Sequence, residues 1–499
     1  MGLAQVFTRA GVGVQAPEVT VEVYTGGGLP KISMVGLAEV AVKEARDRVR
    51  AALMNAHFRV HSGAVTISLA PADLRKRSGR FDLPIAIGML AASSQIRSNR
   101  LADTEFIGEL SLAGSVRPVR GILPVVLQSQ KAGRQLIIPS GNADEAGLAG
   151  PPAPLCADNL LEVVAWLNGT KTLPEATEAD QSTGLFEKDL SEVIGQEHAR
   201  RALEIAAAGQ HNLLFRGPPG TGKTMLSSRL PGILPPMSID EALEAAAVDS
   251  ISLAGLDVNR WRERRFRAPH HTASAIALVG GGSQPRPGEI SRAHNGVLFL
   301  DELPEFGRHV LEVLREPIES GRIIICRASG EAEFPARFQL IAAMNPCPCG
   351  FHGDRQKTCI CSAEQVERYL GKISGPMLDR IDLFVDVTRP KHVIIPGKGK
   401  VGDSSATVRT RVVAAHRIQI ERQGLSNGGL ETSGVKEFCR LNADDESFFE
   451  SAAERLHLSP RGCQRVLKVA RTIADLDRAD EIRQAHLAEA IGLRQPGRR

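Results

Sequence analysis

Aromatic residues are scarce in this sequence, and long apolar runs are missing from it. Phe, Trp and Tyr make up 4% of the 499 residues, so a buried core has to be built from Leu, Ile, Val and Ala. No stretch reaches the roughly 18 consecutive apolar residues that a membrane-spanning helix needs. The first residues also lack the apolar segment of a secretory signal. These absences predict a soluble, cytoplasmic protein with no membrane partner.

A large excess of one charge is also absent. Lys and Arg number 61 against 57 Asp and Glu, which gives a net charge of +4. So small an excess neither requires nor excludes nucleic acid as a partner, because a local basic surface matters more than the total. Apolar residues make up 42% of the chain, which is enough for sizeable cores. The length corresponds to about three domains.

Short strand-like runs that alternate with helical stretches indicate an α/β fold in the first third of the chain. The strand-like runs occupy residues 19–24, 65–69 and 136–138, and a helical stretch covers residues 39–55. The predicted segments are residues 1–170 (an α/β domain), 171–189 (a polar linker), 190–388 (a nucleotide-binding core), 389–432 (a connector rich in Gly, Lys and Ser) and 433–499 (a helical domain).

A phosphate-binding motif, G-x-x-x-x-G-K-[ST], lies between a strand-like run and a helical stretch. It consists of Gly217, Pro218, Pro219, Gly220, Thr221, Gly222, Lys223 and Thr224. Glycines let backbone N–H groups turn onto phosphate oxygens, and the helix N-terminus adds its dipole. We expect Lys223 to contact the β- and γ-phosphates of ATP and Thr224 to ligate Mg²⁺. The alternative is a chance glycine-rich turn.

Polar residues end two later apolar runs. Residues 297–300 are followed by Asp301 and Glu302, and residues 340–344 are followed by Asn345. A buried strand would deliver Asp301 to the Mg²⁺ shell and Glu302 to the attacking water, from which it takes a proton. The amide of Asn345 would hold that water near the γ-phosphate. The alternatives are a core strand with a polar end and a simple Asn-Pro turn.

Several long stretches have an unusual composition. They are FRAPHHTAS at 266–274, LVGGGSQPRPGEISRAHNGVLFLDELPEF at 278–306, FPARFQLIAAMNPCPCG at 334–350, SGPMLDRIDL at 374–383 and ARTIADL at 470–476. In these stretches the chain resembles the ComM (YifB) family of magnesium-chelatase-like AAA+ proteins. With the N-terminal segment, the resemblance covers nearly the whole chain.

The resemblance implies a ring, expected to be hexameric, with each ATP bound between subunits. Arg380 would be the arginine finger that contacts a neighbour's γ-phosphate. The alternative is an ordinary surface arginine that pairs with Asp379 or Asp382. The helical C-terminal domain would be the lid, with Arg461 as its sensor arginine and Arg465 as the rival for that role.

The N-terminal segment, residues 1–170, resembles the domain that carries the peptidase of Lon proteases, which has a ribosomal S5 domain 2-like fold. Lon chemistry needs a serine nucleophile and a lysine base. Phe81 or Asp82 stands near the place of the serine, and Leu123 and Val125 stand where the lysine would be sought. None of these side chains forms the serine–lysine pair, so we predict a scaffold without peptidase activity.

A basic loop precedes this region of the N-terminal segment. Ser78 and Lys76 lie in it, and we expect both to be solvated rather than to form a peptidase pair. Arg75, Arg77 and Arg80 together with Lys76 are candidates for contacts to DNA phosphates. The alternative is a charged loop that is only solvated.

Four cysteines crowd into residues 347–361. Cys347 and Cys349 form one C-x-C pair, and Cys359 and Cys361 form another, nine residues further on. Four thiolates in a short span can enclose Zn²⁺ tetrahedrally, so we predict a structural zinc site. His352 and Asp354 are alternative ligands, and four unligated thiols are the competing interpretation.

Two insertions are candidates for gripping a substrate. One covers residues 272–291, whose glycines and prolines argue against a regular helix, and the other covers residues 321–337, whose apolar runs flank a Ser-Gly turn and predict a hairpin. The candidate DNA contacts in the second are Arg322, Arg327 and Arg337. A further basic run comprises Arg262, Arg264, Arg265 and Arg267. Solvated surface and salt bridges between subunits are the alternatives.

The resemblance therefore implies an ATP-driven ring motor that acts on single-stranded and branched DNA, by branch migration or helicase activity during homologous recombination in natural transformation. An alternative is a magnesium-chelatase-type motor that remodels a protein partner. That subunit usually lacks a Lon-like front domain, which is present here. A peptidase is a third class, opposed by the missing serine–lysine pair.

Overall fold

The computed structural model describes residues 2–36, 40–72, 74, 76, 79–177, 188–282, 285–327, 330–354, 356–389 and 402–494. Arg75, Arg77 and Ser78 lie outside the described residues, as do residues 178–187 of the expected linker and 390–401 of the expected connector. Within the described ranges, no helix combines the length and the apolar character needed to cross a membrane.

A mixed seven-stranded sheet forms the centre of the N-terminal segment, in the strand order β3-β4-β2-β1-β5-β8-β9. The strands of this segment are β1 (Gly2–Arg9), β2 (Glu18–Thr25), β3 (Lys31–Val35), β4 (Ala64–Ala70), β5 (Thr104–Phe106), β6 (Glu109–Leu110), β7 (Val116–Arg117), β8 (Gln135–Pro139) and β9 (Leu155–Ala157). Its helices are α1 (Val40–Asn55), α2 (Asp82–Ala92), α3 (Ile122–Ala132), α4 (Ala143–Gly147) and α5 (Leu160–Leu167). The α/β prediction and its quoted strands are thereby confirmed.

A five-stranded parallel sheet forms the centre of the following segment, in the order β11-β12-β15-β10-β16. Its strands are β10 (Leu213–Arg216), β11 (Phe266–Arg267), β12 (Val297–Leu300), β15 (Gln339–Met344) and β16 (Leu383–Asp386). A separate hairpin consists of β13 (Arg322–Arg327) and β14 (Gly330–Pro335), which confirms the predicted hairpin. Every strand of the five-stranded sheet points the same way, so all of its carboxyl ends meet at one edge.

Helices and turns surround the parallel sheet. They are α6 (Glu197–Gly209), α7 (Lys223–Ser227), α8 (Leu230–Ile233), α9 (Ile239–Ile251), α10 (Ala275–Val279), α11 (Glu289–Arg292), α12 (Arg308–Glu312), α13 (Arg315–Ser320), α14 (Ala363–Leu370) and α15 (Gly375–Leu378). A regular helix was not expected between residues 272 and 291, yet α10 forms there. Ser274 caps it by accepting a hydrogen bond from the Ala277 N–H, and the helix ends where Gly280 adopts a positive φ.

The C-terminal part is helical from Ser405 onward, which corrects the expected connector at residues 389–432. Its helices are α16 (Ser405–Gln423), α17 (Thr432–Phe438), α18 (Ala443–Leu456), α19 (Pro460–Leu476) and α20 (Gln484–Gly492). One face of α16 is buried, at Val408, Val412 and Ala415, against the same apolar core that contains α6 and the sheet. The glycines and lysines that suggested a connector lie largely upstream of this helix.

The N-terminal segment packs directly on the nucleotide-binding core. Leu123 and Leu148 share a buried apolar cluster with Met237, Ala246 and Trp261. A shared carboxylate adds a polar contact, since Glu145 accepts hydrogen bonds from the Leu123 N–H and from the Ser250 hydroxyl. The position predicted for a peptidase lysine is therefore part of an internal interface.

Candidate ATP-binding site

The phosphate loop connects β10 to α7 at the carboxyl edge of the parallel sheet. Gly220 and Gly222 have φ angles of +77° and +90°, a region that favours glycine because it has no Cβ. A Cβ on Gly217 would lie 2.1 Å from the Val387 carbonyl oxygen, so this position also requires glycine. The glycines are therefore required by the backbone of a loop that leads into the N-terminus of α7, the arrangement in which backbone N–H groups can bind phosphate.

Lys223 is buried and joins the loop to Asn345. Its Nζ donates to the carbonyl oxygens of Gly217 at 2.7 Å and Pro218 at 2.9 Å, and to Oδ1 of Asn345 at 3.2 Å. Burial lowers the pKa of Lys223, and the carboxylates of Asp301 and Glu302 oppose that shift. The structure thus places the predicted phosphate lysine and the predicted water-holding amide in contact.

The acidic pair follows β12, one strand away from β15 at the same edge. Thr224 Oγ1 donates to Oδ2 of Asp301 at 2.6 Å, so these two oxygens are adjacent as a Mg²⁺ site requires. Both are hard oxygen ligands of the type that Mg²⁺ prefers. The Glu302 N–H donates to the other Asp301 oxygen at 2.9 Å.

Glu302 has an unusual backbone and a partner that the sequence did not predict. Its φ is +52°, a left-handed conformation that costs a residue other than glycine about 1 kcal/mol. Oε2 of Glu302 lies 3.2 Å from Nδ1 of His271. Lys188, Phe266 and residues 268–271 line the same cavity as Thr224, Asp301 and Glu302. The only sequence signal for His271 was its place in the stretch at 266–274, to which no role had been assigned.

The three arginines predicted to act at subunit or lid contacts have different environments. Arg380 is buried, and it donates to the carbonyl oxygens of Pro376 and Arg315 and pairs with Glu319 at 2.6 Å. Its partner is therefore neither Asp379 nor Asp382. Arg465 pairs with Asp382, whereas Arg461 is exposed near the start of α19.

The four cysteines of the 347–361 loop come together. Their sulfur atoms all lie within 4.8 Å of one another, with the Cys347–Cys349, Cys347–Cys359 and Cys349–Cys359 Sγ separations at 3.4, 3.7 and 3.6 Å. A tetrahedral Zn²⁺ with Zn–S bonds of about 2.3 Å would place its sulfurs about 3.8 Å apart, so the cluster fits such an ion. The described ligand group contains neither His352 nor Asp354.

The cysteine loop also touches the phosphate loop. A Cβ on Gly350, whose φ is +83°, would lie 2.7 Å from Cδ of Pro219. Cys347 follows Asn345 by two residues and is fully buried. The cluster therefore supports the segment that carries Asn345 from the side of the phosphate loop.

The candidate DNA contacts on the hairpin are exposed, but they differ in their partners. Arg322 Nη1 lies 3.4 Å from Oε1 of Glu333 on the opposite strand. Arg327 donates to its neighbouring Cys326 carbonyl oxygen at 3.3 Å, and among the described residues no carboxylate lies within 4 Å of it. Arg337 is exposed at the base of the hairpin.

The second basic run forms internal ion pairs rather than a free basic surface. Arg264 pairs with Glu241, Arg265 with Asp249, and Arg267 with Glu289, at N–O separations of 3.0, 3.1 and 2.7 Å. These pairs argue against phosphate contacts by those three arginines.

Two expectations about the N-terminal basic loop are wrong in its described part. Lys76 is fully buried and donates to the Pro71 carbonyl oxygen, so it is not solvated. Arg80 is also buried, which lowers its pKa to about 10, and it donates to the Arg120 carbonyl oxygen at 2.6 Å. Neither side chain is available to DNA.

The place expected for a peptidase serine holds an internal ion pair. Asp82 is fully buried and its two carboxylate oxygens accept hydrogen bonds from Arg48 at 2.8 and 3.1 Å. Burial raises the pKa of Asp82 to about 6, although Arg48 opposes the shift. This carboxylate therefore serves the fold of the N-terminal segment.

Comparison with known proteins agrees with this geometry. The chain matches three families of one enzyme subunit: "Subunit ChlI of Mg-chelatase" at residues 21–142, "Magnesium chelatase, subunit ChlI" at 189–394 and its C-terminal family at 402–494. It is 24% identical to the magnesium-chelatase 38 kDa subunit of Cereibacter sphaeroides over 41% of this chain and 59% of that protein.

Two bacterial relatives match along nearly their whole length. Competence protein ComM of Haemophilus influenzae is 53% identical over 99% of this chain and 98% of its own. Uncharacterized protein YifB of Escherichia coli is 50% identical over 99% of this chain and 97% of its own. On these grounds the chain belongs to the ComM/YifB family of magnesium-chelatase-like AAA+ proteins.

Proposed function

We propose that this chain hydrolyses ATP in a cytoplasmic hexameric ring and moves DNA strands, by branch migration or helicase activity during recombination in natural transformation. One observation supports the proposal: the chain has both an ATP site and a separate hairpin. On that hairpin Arg327 is exposed, and among the described residues it has no carboxylate partner. The Haemophilus influenzae relative bears the name of a competence protein, which supports DNA as the substrate.

Different residues of the proposed ATP site contact the phosphates and activate the attacking water. Lys223 would bind the β- and γ-phosphates, and the Thr224 and Asp301 oxygens, which are adjacent, would hold Mg²⁺. When bound, the ion neutralises charge on the phosphate oxygens. Glu302 takes a proton from the attacking water, and Asn345, already bonded to Lys223, orients that water.

In the proposed ring, Arg380 would lie at a neighbouring subunit's γ-phosphate. In the folded chain its guanidinium is held by Glu319, which follows Glu316 on α13 and precedes the hairpin. We infer that the phosphate replaces Glu319 as the partner of Arg380 when subunits assemble around ATP. A positive charge at this point stabilises the transition state.

Helices α16 to α20 serve as the lid over the nucleotide. Arg461 is the proposed sensor because it is exposed, whereas Arg465 is engaged by Asp382. Burial would raise the pKa of Asp382, but Arg465, His211 and the Asn212 N–H together lower it, so the ion pair stays charged. Arg465 thus anchors α19 to the end of the parallel sheet.

The N-terminal segment is proposed as a Lon-like, ribosomal S5 domain 2-like scaffold without peptidase activity. Asp82 is committed to Arg48, and Leu123 is buried against the core, which leaves the expected catalytic positions without a serine or a lysine. Its task is to support α9 and the adjoining hairpin.

Zinc is the metal proposed for the four-cysteine cluster. The Sγ separations suit a tetrahedral ion, and backbone N–H groups point at two sulfurs: the Cys349 N–H at Cys361 Sγ and the His352 N–H at Cys347 Sγ. Such bonds orient metal-bound thiolates. Bound zinc would fix the loop between Asn345 and α14 and would supply no chemistry to ATP hydrolysis.

The proposed DNA track is the hairpin with Arg322, Arg327 and Arg337. A motor has to hold DNA without reading its sequence, and phosphate contacts meet this need because every nucleotide presents the same charge. Arg327 is the strongest candidate, since Arg322 already pairs with Glu333 and Arg337 lies at the hairpin base.

Changes at the phosphate loop and at the acidic pair should separate binding from turnover. Lys223→Ala should lose ATP binding, because it removes a ground-state phosphate contact. Glu302→Gln should keep ATP affinity and lose turnover by about 10²- to 10⁴-fold, the usual share of a general base. ATP affinity and hydrolysis are measured for both variants. Normal turnover in Glu302→Gln would rule it out as the base.

Arg380→Ala should bind ATP nearly normally and hydrolyse it about 10³-fold more slowly or worse, as loss of an arginine finger does. Mixing it with Lys223→Ala subunits should restore part of the activity, because one mixed interface pairs an intact loop with an intact finger. Glu319→Ala, which removes only the internal partner, is the control and should remain active. The absence of recovery in mixtures shown to co-assemble would contradict a shared site.

The purified protein should contain about one zinc ion per chain, as four thiolates around one tetrahedral ion require. Cys347→Ser should lose it, whereas Cys326→Ser, at an exposed hairpin cysteine, should keep it. Elemental analysis and thiol titration provide the measurement. Four freely titratable thiols and little metal, after purification without chelators, would show that the cluster is unligated.

Arg327→Ala should weaken binding to single-stranded and four-way DNA about equally across sequences. It should flatten the dependence of affinity on salt by about one counterion for each subunit that engages DNA. ATP hydrolysis without DNA should stay nearly unchanged. Arg417→Ala, at an exposed arginine paired with Glu421 on α16, is the control for loss of charge alone.

ATP-dependent strand movement on a labelled four-way junction tests the proposed function with the same variants. The intact protein should move the branch, and Lys223→Ala should not. An unchanged salt slope in folded, assembled Arg327→Ala would remove Arg327 from the track. If the intact protein neither binds DNA nor moves strands, remodelling of a protein partner becomes the leading function.

A further inference from the structure

The loop between the two cysteine pairs carries an aspartate that lies outside the described metal-ligand group. The side chain of Asp354 is only 3% exposed. The cysteines close the loop on both sides, with Cys349 Sγ 3.6 Å from Cys359 Sγ. Within the loop, the Asp354 N–H donates to the Phe351 carbonyl oxygen at 3.0 Å. The place of the Asp354 carboxylate is therefore set by the folded loop.

The partner of Asp354 comes from the chain that leaves strand β16. Arg389 Nε lies 3.1 Å from Asp354 Oδ2, and the guanidinium carbon of Arg389 lies 5.6 Å from the centroid of the Phe351 ring. Both atoms of the ion pair are shielded from solvent, and among the described residues neither has a hydrogen-bond partner. The two atoms therefore compensate each other's charge, because a buried charge without a partner is costly.

The residue two positions before Arg389 touches the phosphate loop. A Cβ on Gly217 would lie 2.1 Å from the Val387 carbonyl oxygen, so the two backbones are in close contact. The Val387 N–H donates to the carbonyl oxygen of Arg216 at 2.7 Å, and Arg216 is the last residue of β10 before the loop. The chain leaving β16 thus packs along the first residues of the phosphate loop.

We propose that the Asp354–Arg389 ion pair is a positioning contact for ATP binding, through which the cysteine loop holds the chain leaving β16 against the phosphate loop. This proposal rests on the proposed function, since it takes residues 217–224 as the ATP site. Without the ion pair, the backbone beside Gly217 loses an anchor, and the phosphate loop samples more conformations. ATP then has to order the loop as it binds, which lowers its affinity. Glu302 and Asn345 stay in place, so turnover at saturating ATP does not depend on the pair.

The ion pair is tested by removing each charge separately and then both together. Asp354→Asn keeps the size of its side chain, and it should raise the Kd and the KM for ATP by about tenfold, because an unpaired buried charge loosens the anchor. The kcat should stay within about twofold of that of the intact protein, the pattern of a lost binding contact. Arg389→Gln should show the same loss, and the double variant should lose no more than either single variant.

The matched control is Glu364→Gln on α14, the helix that follows the cysteine loop. Glu364 forms an exposed ion pair with Arg368, so this change removes one carboxylate near the loop and leaves the buried pair intact. Its ATP affinity should equal that of the intact protein. The zinc content of all variants should also equal that of the intact protein, because the four cysteines are unchanged.

The local effect is measured without nucleotide, by hydrogen exchange. The Val387 amide should exchange about tenfold faster in Asp354→Asn and in Arg389→Gln than in the intact protein, because its local opening becomes easier. The amides of β12, which lie on the far side of β15, should exchange as in the intact protein. This comparison separates a loosened anchor from a general loss of stability.

ATP affinity in both single variants equal to that of the intact protein would overturn the proposal. A double variant whose loss of binding free energy equals the sum of the two single losses would also overturn it, since the two residues would then act independently. Failure of the proposed function has a different signature, because the intact protein would then bind no ATP. Exchange of the Val387 amide decides in that case: faster exchange in both single variants supports the anchor, and unchanged exchange overturns it.

Discussion

The parallel direction of five strands is the constraint on which the site depends. Because all carboxyl ends meet at one edge, the loops after β10, β11, β12 and β15 converge, although they are far apart in the sequence. Lys223, Asp301 and Asn345 are bonded or adjacent for that reason alone. The order of the strands also places β12 between β11 and β15, so the acidic pair is flanked by the histidine segment and by the amide.

Motif spacing predicted the parts of the site whose geometry is local. A glycine-rich loop between a strand and a helix has few ways to fold. The apolar runs before Asp301 and Asn345 stop at polar residues because the buried strands end there. The cysteine cluster and the hairpin were also predicted from the sequence. Two closely spaced C-x-C pairs indicated the cluster, and apolar runs on either side of a glycine turn indicated the hairpin. The α/β class followed from the same periodicities.

The remaining features depend on tertiary packing that charge and composition do not encode. Arg264, Arg265 and Arg267 resemble a basic surface in the sequence, and only the fold reveals Glu241, Asp249 and Glu289 opposite them. The burial of Lys76 also depends on a tertiary contact, because its ammonium group donates a hydrogen bond to a backbone carbonyl oxygen. The helix α16 did carry a signal, a buried stripe at Val408, Val412 and Ala415, but the Gly- and Lys-rich segment before it dominated the composition.

The N-terminal segment and the cysteine loop both pack against parts of the nucleotide-binding core. The N-terminal segment reaches the hairpin as well as α9, since a Cβ on Gly13 would lie 3.3 Å from the Glu333 carbonyl oxygen. The cysteine loop supports Asn345 from the other side through Gly350 and Pro219. The hairpin and the phosphate loop are therefore each in contact with a segment outside the parallel sheet.

We propose that one ring holds ATP at the sheet edge and DNA on the hairpin. The most direct test is a structure of the assembled protein with Mg²⁺, a non-hydrolysable ATP analogue and single-stranded DNA. We expect ATP phosphates on residues 217–224, Arg380 of an adjacent subunit at the γ-phosphate, and DNA phosphates against Arg327. A ring whose DNA runs elsewhere, with the hairpin buried between subunits, would contradict it.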